Sequence, residues 1–328
     1  MTMRASMFSF LEFGAIDPVD AQRLTWDFRV GQQSYDWFMA ARYLNDLLTY
    51  QDMTVACIDA GEQEIEALLR ENIHHQDDAS VNLSKLVALL AVRDAAARPS
   101  EGLRFIELGS TLFGCIEGIE FCRALLDRYR LVASDEMELN VEWSGIDNSR
   151  MLNRLAKLVH PGSEVLTHEN YPTPLSGYDV FFSKGVSLLY KVESPDELAK
   201  VLSSAKISVF DYSFSPSGTR DRYIGSGKPL HYLDIGDCRA ALAVARGRFL
   251  LRSGSPGLEP EQDRIRIEGI YGDPEVVERF VAIDARLRRG LTERCGSAAF
   301  ARLMTADTPG GQDDWIDFDD FRSRTLGD

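Results

Sequence analysis

The chain has 328 residues, 45% of them hydrophobic, which suffices for one large domain or two small ones with buried cores. Its 36 basic and 51 acidic residues leave a net charge of −15, and no basic patch is visible, so nucleic acid and anionic membrane surfaces are unlikely partners by electrostatics. Five scattered cysteines without a Cys-x-x-Cys pair suggest neither a disulfide framework nor a zinc site, and there is neither an export signal nor an apolar run of about 18 residues, so a cytoplasmic location is expected.

Residues 1–99 carry helical rather than strand patterning. The stretch 20–50 is rich in aromatics, and from Asp36 to Tyr50 the apolar positions recur at helical spacing. Further helices are predicted over Glu62–Leu69 and Leu83–Ala97, the second capped by Asn82 or Ser84 and stopped before Pro99. Together they should form a cap over the mouth of a following sheet. His74-His75 has no further ligands in reach of the pattern, so no metal site is expected.

From residue 100 to about 272 strands and helices alternate, which predicts a mostly parallel sheet. Leu103–Leu108 reads as a strand, Gly109–Gly114 as a turn and Cys115–Tyr129 as a helix. Val141–Ile146 is a second strand, and Asp147-Asn148-Ser149 then caps a helix beginning near Arg150. A strand ending in an acidic residue and a glycine turn presents main-chain N–H groups and a helix N-terminus to a polar ligand. A carboxylate at the tip of the second strand can accept both hydrogen bonds of a ribose diol. Glu107, Gly109 and Asp147 thus form a three-point frame for a nucleoside.

Glu164–Thr167 is a short third strand that ends in His168-Glu169-Asn170, and Tyr178–Ser183 a fourth whose apolar run suits burial on both faces. Ser194-Pro195 opens a helix over Asp196–Ser204, and Ile207–Asp211 is the fifth strand. The loops after the fourth and fifth strands carry Tyr190 and Ser217 toward the ligand side. After a helix over Asp237–Arg246, Phe249–Arg252 and Arg264–Glu268 read as an antiparallel edge hairpin. Asp273-Pro274 opens a long helix, Ser297–Met304 is another, and an acidic tail from 305 is expected to be loosely ordered, although Trp315, Ile316, Phe318 and Phe321 could dock it.

Four segments resemble the class I S-adenosylmethionine-dependent methyltransferases: Phe-Ile-Glu-Leu-Gly at 105–109, Gly-Ile-Asp-Asn-Ser at 145–149, Tyr-Asp-Val-Phe-Phe-Ser at 178–183 and Ile-Ser-Val-Phe-Asp-Tyr at 207–212. The family's first motif has the form acidic-x-Gly-x-Gly-x-Gly, and here Thr111 and Phe113 stand at the second and third glycine positions. The resemblance implies a Rossmann-like α/β sheet, mostly parallel with an antiparallel edge hairpin. It divides the chain into a helical N-terminal cap (1–99), an S-adenosylmethionine-binding domain (100–272) and C-terminal helices with an acidic tail (273–328). It further implies Glu107 and Gly109 near the methionine moiety, Asp147 on the ribose, Asn148 beside it as a cofactor-binding candidate, and Glu169 or Asn170 near adenine. Aromatics of the cap such as Trp26, Tyr35 or Trp37 could then face the sulfonium, and the rest serve core packing.

Three activities fit that frame. The first is methyl transfer to a small molecule in specialised metabolism, with His231 as candidate general base, although a lone histidine more often serves as a structural hydrogen-bonder. The second is intramolecular cyclisation of S-adenosylmethionine to azetidine-2-carboxylate, because the chain is also similar to the azetidine-2-carboxylate synthases; Tyr190, Ser217 and Asn153 would then hold the amine. The third is a catalytically idle S-adenosylmethionine sensor. A nicotinamide-dependent dehydrogenase fits the first strand poorly. A cap over the pocket favours a small substrate, and a homodimer stays open.

Overall fold

The computed structural model of the protein describes residues 32–72, 79–95, 102–133, 137–147, 149–167, 177–183, 192–214, 220–222, 229–231, 233–253, 265–305 and 315–325. In chain order the helices are α1 (Gln32–Asp59), α2 (Glu62–Asn72), α3 (Ala79–Ala95), α4 (Gly114–Arg128), α5 (Arg150–Val159), α6 (Pro195–Leu202), α7 (Ile235–Val244), α8 (Pro274–Arg294), α9 (Ala298–Thr305) and α10 (Phe318–Thr325). The strands are β1 (Leu103–Leu108), β2 (Val141–Asp147), β3 (Glu164–Thr167), β4 (Tyr178–Ser183), β5 (Ala205–Phe214), β6 (Arg220–Arg222), β7 (Pro229–His231), β8 (Arg248–Ser253), β9 (Ile265–Gly272) and β10 (Ile316–Asp317).

Eight strands make one sheet in the order β3-β2-β1-β4-β5-β9-β8-β10. The first five are parallel, and the order reverses between β1 and β4, which opens a crevice at their carboxyl ends. β9 runs antiparallel between β5 and β8, so the predicted edge hairpin is present with its second strand placed inward. This is the expected α/β class: a mostly parallel Rossmann-like sheet with an antiparallel edge and helices on both faces. One face is covered by α3, α4 and α8, whose Leu86, Phe121 and Phe280 are fully buried against it. α6, α7 and α10 cover the other through Leu198, Cys238 and Phe321. Covering both faces is why β1 and β4 are almost wholly buried along their length.

Two expectations need correction. α3 begins at Ala79, so Asn82 and Ser84 lie inside it rather than capping it. The reason is tertiary: its residues from Ala79 to Val92 are all buried, because the helix is wedged between the sheet, α4 and α8. The second concerns the tail. Ile316 and Asp317 pair with Leu251 and Leu250, Trp315 packs edge-on against Phe280 at 5.6 Å, and Phe318 and Phe321 are buried. Residues 315–325 are therefore docked, as those four side chains allowed.

None of the five cysteines is in a disulfide. Burial pushes the Cys57 thiol up to about 11 against the pull of Arg128, and burial with Asp234 and Asp237 pushes Cys238 up to about 12. Both stay protonated and unreactive near neutral pH. No helix among the described residues is long and apolar enough to cross a membrane.

Candidate ligand site

The β1–α4 loop takes a glycine-type path with few glycines. Gly109 has φ 79°, and Thr111 and Phe113 follow at φ 50° and 58°. The last two are left-handed, a conformation glycine adopts freely and other residues hold at a cost of about 1–3 kcal/mol. Packing supplies the compensation at Phe113, whose ring is fully buried with Leu112, Tyr43 and Leu152. Gly145 makes that packing possible: a Cβ on it would lie 2.2 Å from Ser110 Oγ and 2.7 Å from the Phe113 ring.

Asp147, at the tip of β2, ties this loop to the next turn. Its Oδ2 accepts from the Thr111 N–H at 3.2 Å and its Oδ1 from the Ser149 N–H at 2.8 Å. Ser149 then caps α5 by accepting from the Leu152 N–H at 3.2 Å. The Gly109 N–H donates to Ile146 O at 2.7 Å, which stitches the loop to β2 directly. At the start of α4 the cap residue is Phe113, with no side-chain hydrogen bond to the helix. The carboxyl edge of β1 and β2 therefore offers a carboxylate and a helix N-terminus whose N–H groups are not answered by a cap side chain, a combination that receives polar ligand groups.

Glu107 stands on the same sheet face as Asp147, since it is in register with Gly145 and side chains alternate along a strand. The two carboxylates have different partners. Glu107 Oε1 accepts from Lys85 Nζ at 2.6 Å, both residues are buried, and the ammonium also lies 4.6 Å from the centre of the Phe182 ring. Two charges in a core are tolerable only as such a pair. Lys85 was missed by the sequence reading, yet a lysine inside the apolar run Leu83–Val92 is a signal of a buried ionic partner.

Beyond Phe182 lies a cavity of about 20 Å³, room for roughly one water-sized group, lined by Ser80, Ser84, Ser183, Asp211, Arg252 and Glu268 among others. Behind it runs a buried ionic layer. Arg252 Nε donates to Glu268 at 2.6 Å, Arg252 also reaches Asp284 at 3.6 Å, and Asp284 accepts from Arg288 Nε at 2.7 Å. Arg288 Nη2 donates to Ser84 Oγ at 2.9 Å, and Trp315 Nε1 donates to Asp284 at 3.1 Å beneath the Arg252 guanidinium. This layer was also absent from the sequence reading. Its members come from α3, β8, β9 and α8, and only the (i, i+4) spacing of Asp284 and Arg288 is local.

The other sequence candidates fall differently. Asn153 donates from Nδ2 to the Asp147 carbonyl at 3.1 Å, so its amide anchors α5 to the end of β2. His231 lies on β7, opposite Arg220 in a two-stranded hairpin rather than in an open loop. Asn148, Glu169, Asn170, Tyr190 and Ser217 lie outside the described residues, as do Trp26, His74 and His75.

No protein-family profile matches the chain, and no curated protein matches it. Solved structures do. A S-adenosylmethionine-dependent methyltransferase from Clostridium acetobutylicum is 10% identical, over 64% of this chain and 96% of that one, with a TM-score of 0.37. Streptomyces venezuelae DesVI is 12% identical over 64% and 96%, with a TM-score of 0.35. A TehB-like S-adenosylmethionine-dependent methyltransferase from Corynebacterium glutamicum is 12% identical over 67% and 98%, with a TM-score of 0.31. Likeness at this level decides neither fold nor activity; the strand order and the antiparallel β9 decide the fold.

Proposed function

We propose that the protein is a S-adenosylmethionine-dependent methyltransferase acting on a small molecule, with the adenosyl sulfonium seated at the carboxyl edge of β1 and β2. One observation carries the reading: Thr111 and Phe113, standing where the resembled motif has glycines, hold a left-handed backbone that glycine adopts freely, and the loop so formed donates its Thr111 N–H to Asp147. A carboxylate and a helix N-terminus without a side-chain cap at one sheet edge suit the polar groups of that cofactor.

In this reading Glu107 and Gly109 flank the methionine moiety, Asp147 and Asn148 hold the ribose, and Glu169 or Asn170 approaches adenine. When bound, S-adenosylmethionine supplies a methyl group on a positively charged sulfur. The chain's own residues bind and orient it. Lys85 fixes the Glu107 carboxylate, Ser149 and Thr111 fix that of Asp147, and the N-terminus of α4 faces the polar part of the ligand. His231 is the candidate general base, and the five cysteines without a disulfide suit a reducing cytoplasm.

Incubation with S-adenosylmethionine, followed by mass spectrometry of the products, tests this reading. Adenosylhomocysteine formed with a small-molecule acceptor is the expected product. Methylthioadenosine formed without any acceptor would replace transfer by cyclisation, and binding without turnover would leave a sensor.

A further inference from the structure

Asp211, Glu268 and Arg252 are ladder partners on β5, β9 and β8, so their side chains stand in a row on one face of the sheet. Two carboxylates directly opposite each other repel. Arg252 answers Glu268 and is shared with Asp284 behind it. In front of the row lies the small cavity, closed on the helical side by Ser80 and Ser84 of α3. Ser183, at the end of β4, lines it as well; this serine is fully buried and its hydroxyl has no hydrogen-bond partner. A buried hydroxyl is rarely left so, and one at a cavity wall points to a missing polar group.

We propose that this cavity is a subsite for a single ammonium group, the end of a ligand that lies along the carboxyl edge of the sheet. The described wall carries two carboxylates, one guanidinium and three serine hydroxyls. A carboxylate or phosphate would meet Asp211 and Glu268 with like charge, and a neutral hydroxyl would gain little from them. An ammonium is a compact cation with three donors, and it matches acceptors on both carboxylates and on the Ser183 hydroxyl. The group has two sources: an amine second substrate, or the methionine ammonium of S-adenosylmethionine itself. The inference rests on the methyltransferase reading only for the choice between them.

Ethylamine hydrochloride, ethanol and sodium acetate are titrated into the full chain at neutral pH by saturation-transfer NMR, with and without S-adenosylmethionine. Ethylamine binds saturably and the neutral and anionic probes do not. Asp211→Asn raises the ethylamine Kd at least about tenfold, and Ser183→Ala, which carries the test should Asp211→Asn fail to fold, raises it several-fold. Competition by S-adenosylmethionine assigns the ammonium to the methionine, and binding alongside it assigns the ammonium to a second substrate. Absent ethylamine binding, equal binding of ethanol, or an unchanged Kd in the folded variants overturns the subsite. S-adenosylmethionine titrated alone reports on the methyltransferase reading separately: its failure to bind with ethylamine still bound removes that reading and leaves the subsite standing.

Discussion

At the tips of β1 and β2 the Asp147 carboxylate is held by the main-chain N–H groups of Thr111 and Ser149, whereas across β5, β9 and β8 the carboxylates of Glu268 and Asp284 are held by the side chains of Arg252 and Arg288. The first arrangement stores its cost in backbone conformation. Thr111 and Phe113 sit in the left-handed region so that one carboxylate is positioned by loop shape alone. The second stores its cost in desolvation, since Arg252, Asp284 and Arg288 are buried and each depends on its neighbours. Loss of Asp147 at the first edge should mainly alter ligand binding, and loss of Asp284 behind the second should mainly alter stability.

The largest effect is expected in the ionic layer. Asp284→Ala removes the acceptor of Arg288 and Trp315 and a carboxylate paired with Arg252, and should cost about 3–5 kcal/mol in urea unfolding. A loss under about 1 kcal/mol would mean that water already screens the layer. Next comes Phe113. Phe113→Ala should cost about 3 kcal/mol for the vacated ring space, and Phe113→Gly should cost about 1 kcal/mol less than that, because glycine releases the left-handed strain. Glycine is ordinarily the more damaging of the two, so the inverted order is the signature of backbone strain. Thr111→Gly, with little packing to lose, should be neutral or stabilising by up to about 1 kcal/mol in the same assay.

The smallest effect lies away from both edges. Burial raises the Glu62 carboxyl, but the hydroxyl of Tyr129 and the N–H groups of Gly296 and Ser297 outweigh it and hold the group below its ordinary value. A carboxyl lowered on folding stabilises above its unfolded value of about 4.3, and the contribution is lost as pH falls through the lower folded value. Glu62→Gln should therefore flatten the acid limb of a stability-against-pH curve without moving the neutral plateau's shape. A limb unchanged by the substitution would assign it to other carboxylates.

Much of the sheet was legible in the sequence because its signals are local. The bounds of β1, β3 and β4 match the apolar runs at Leu103–Leu108, Glu164–Thr167 and Tyr178–Ser183, and the caps at Ser149, Ser194 and Asp273 mark the starts of α5, α6 and α8. The positions of Asp147 at the tip of β2 and Gly109 just after β1 were legible for the same reason. α3 was misread at its start because its residues from Ala79 to Val92 are all buried, which puts Asn82 and Ser84 inside it. Neither Lys85–Glu107 nor the Arg252–Glu268–Asp284–Arg288 layer could be read, since each joins elements that only the fold brings together. The hairpin carrying His231 escaped notice as well; its strands span only Arg220–Arg222 and Pro229–His231, too short for a periodic signal.

Whether the β1–β2 edge holds an adenosyl ligand is answered most directly by calorimetric titration of S-adenosylmethionine into the wild-type chain and into Asp147→Ala, with circular dichroism as a check that the variant is folded. The account predicts saturable binding by the wild type and a loss of about 1–3 kcal/mol in the variant, through two charge-assisted hydrogen bonds to the ribose. Equal affinity in the two proteins, or no binding by the wild type, would contradict it.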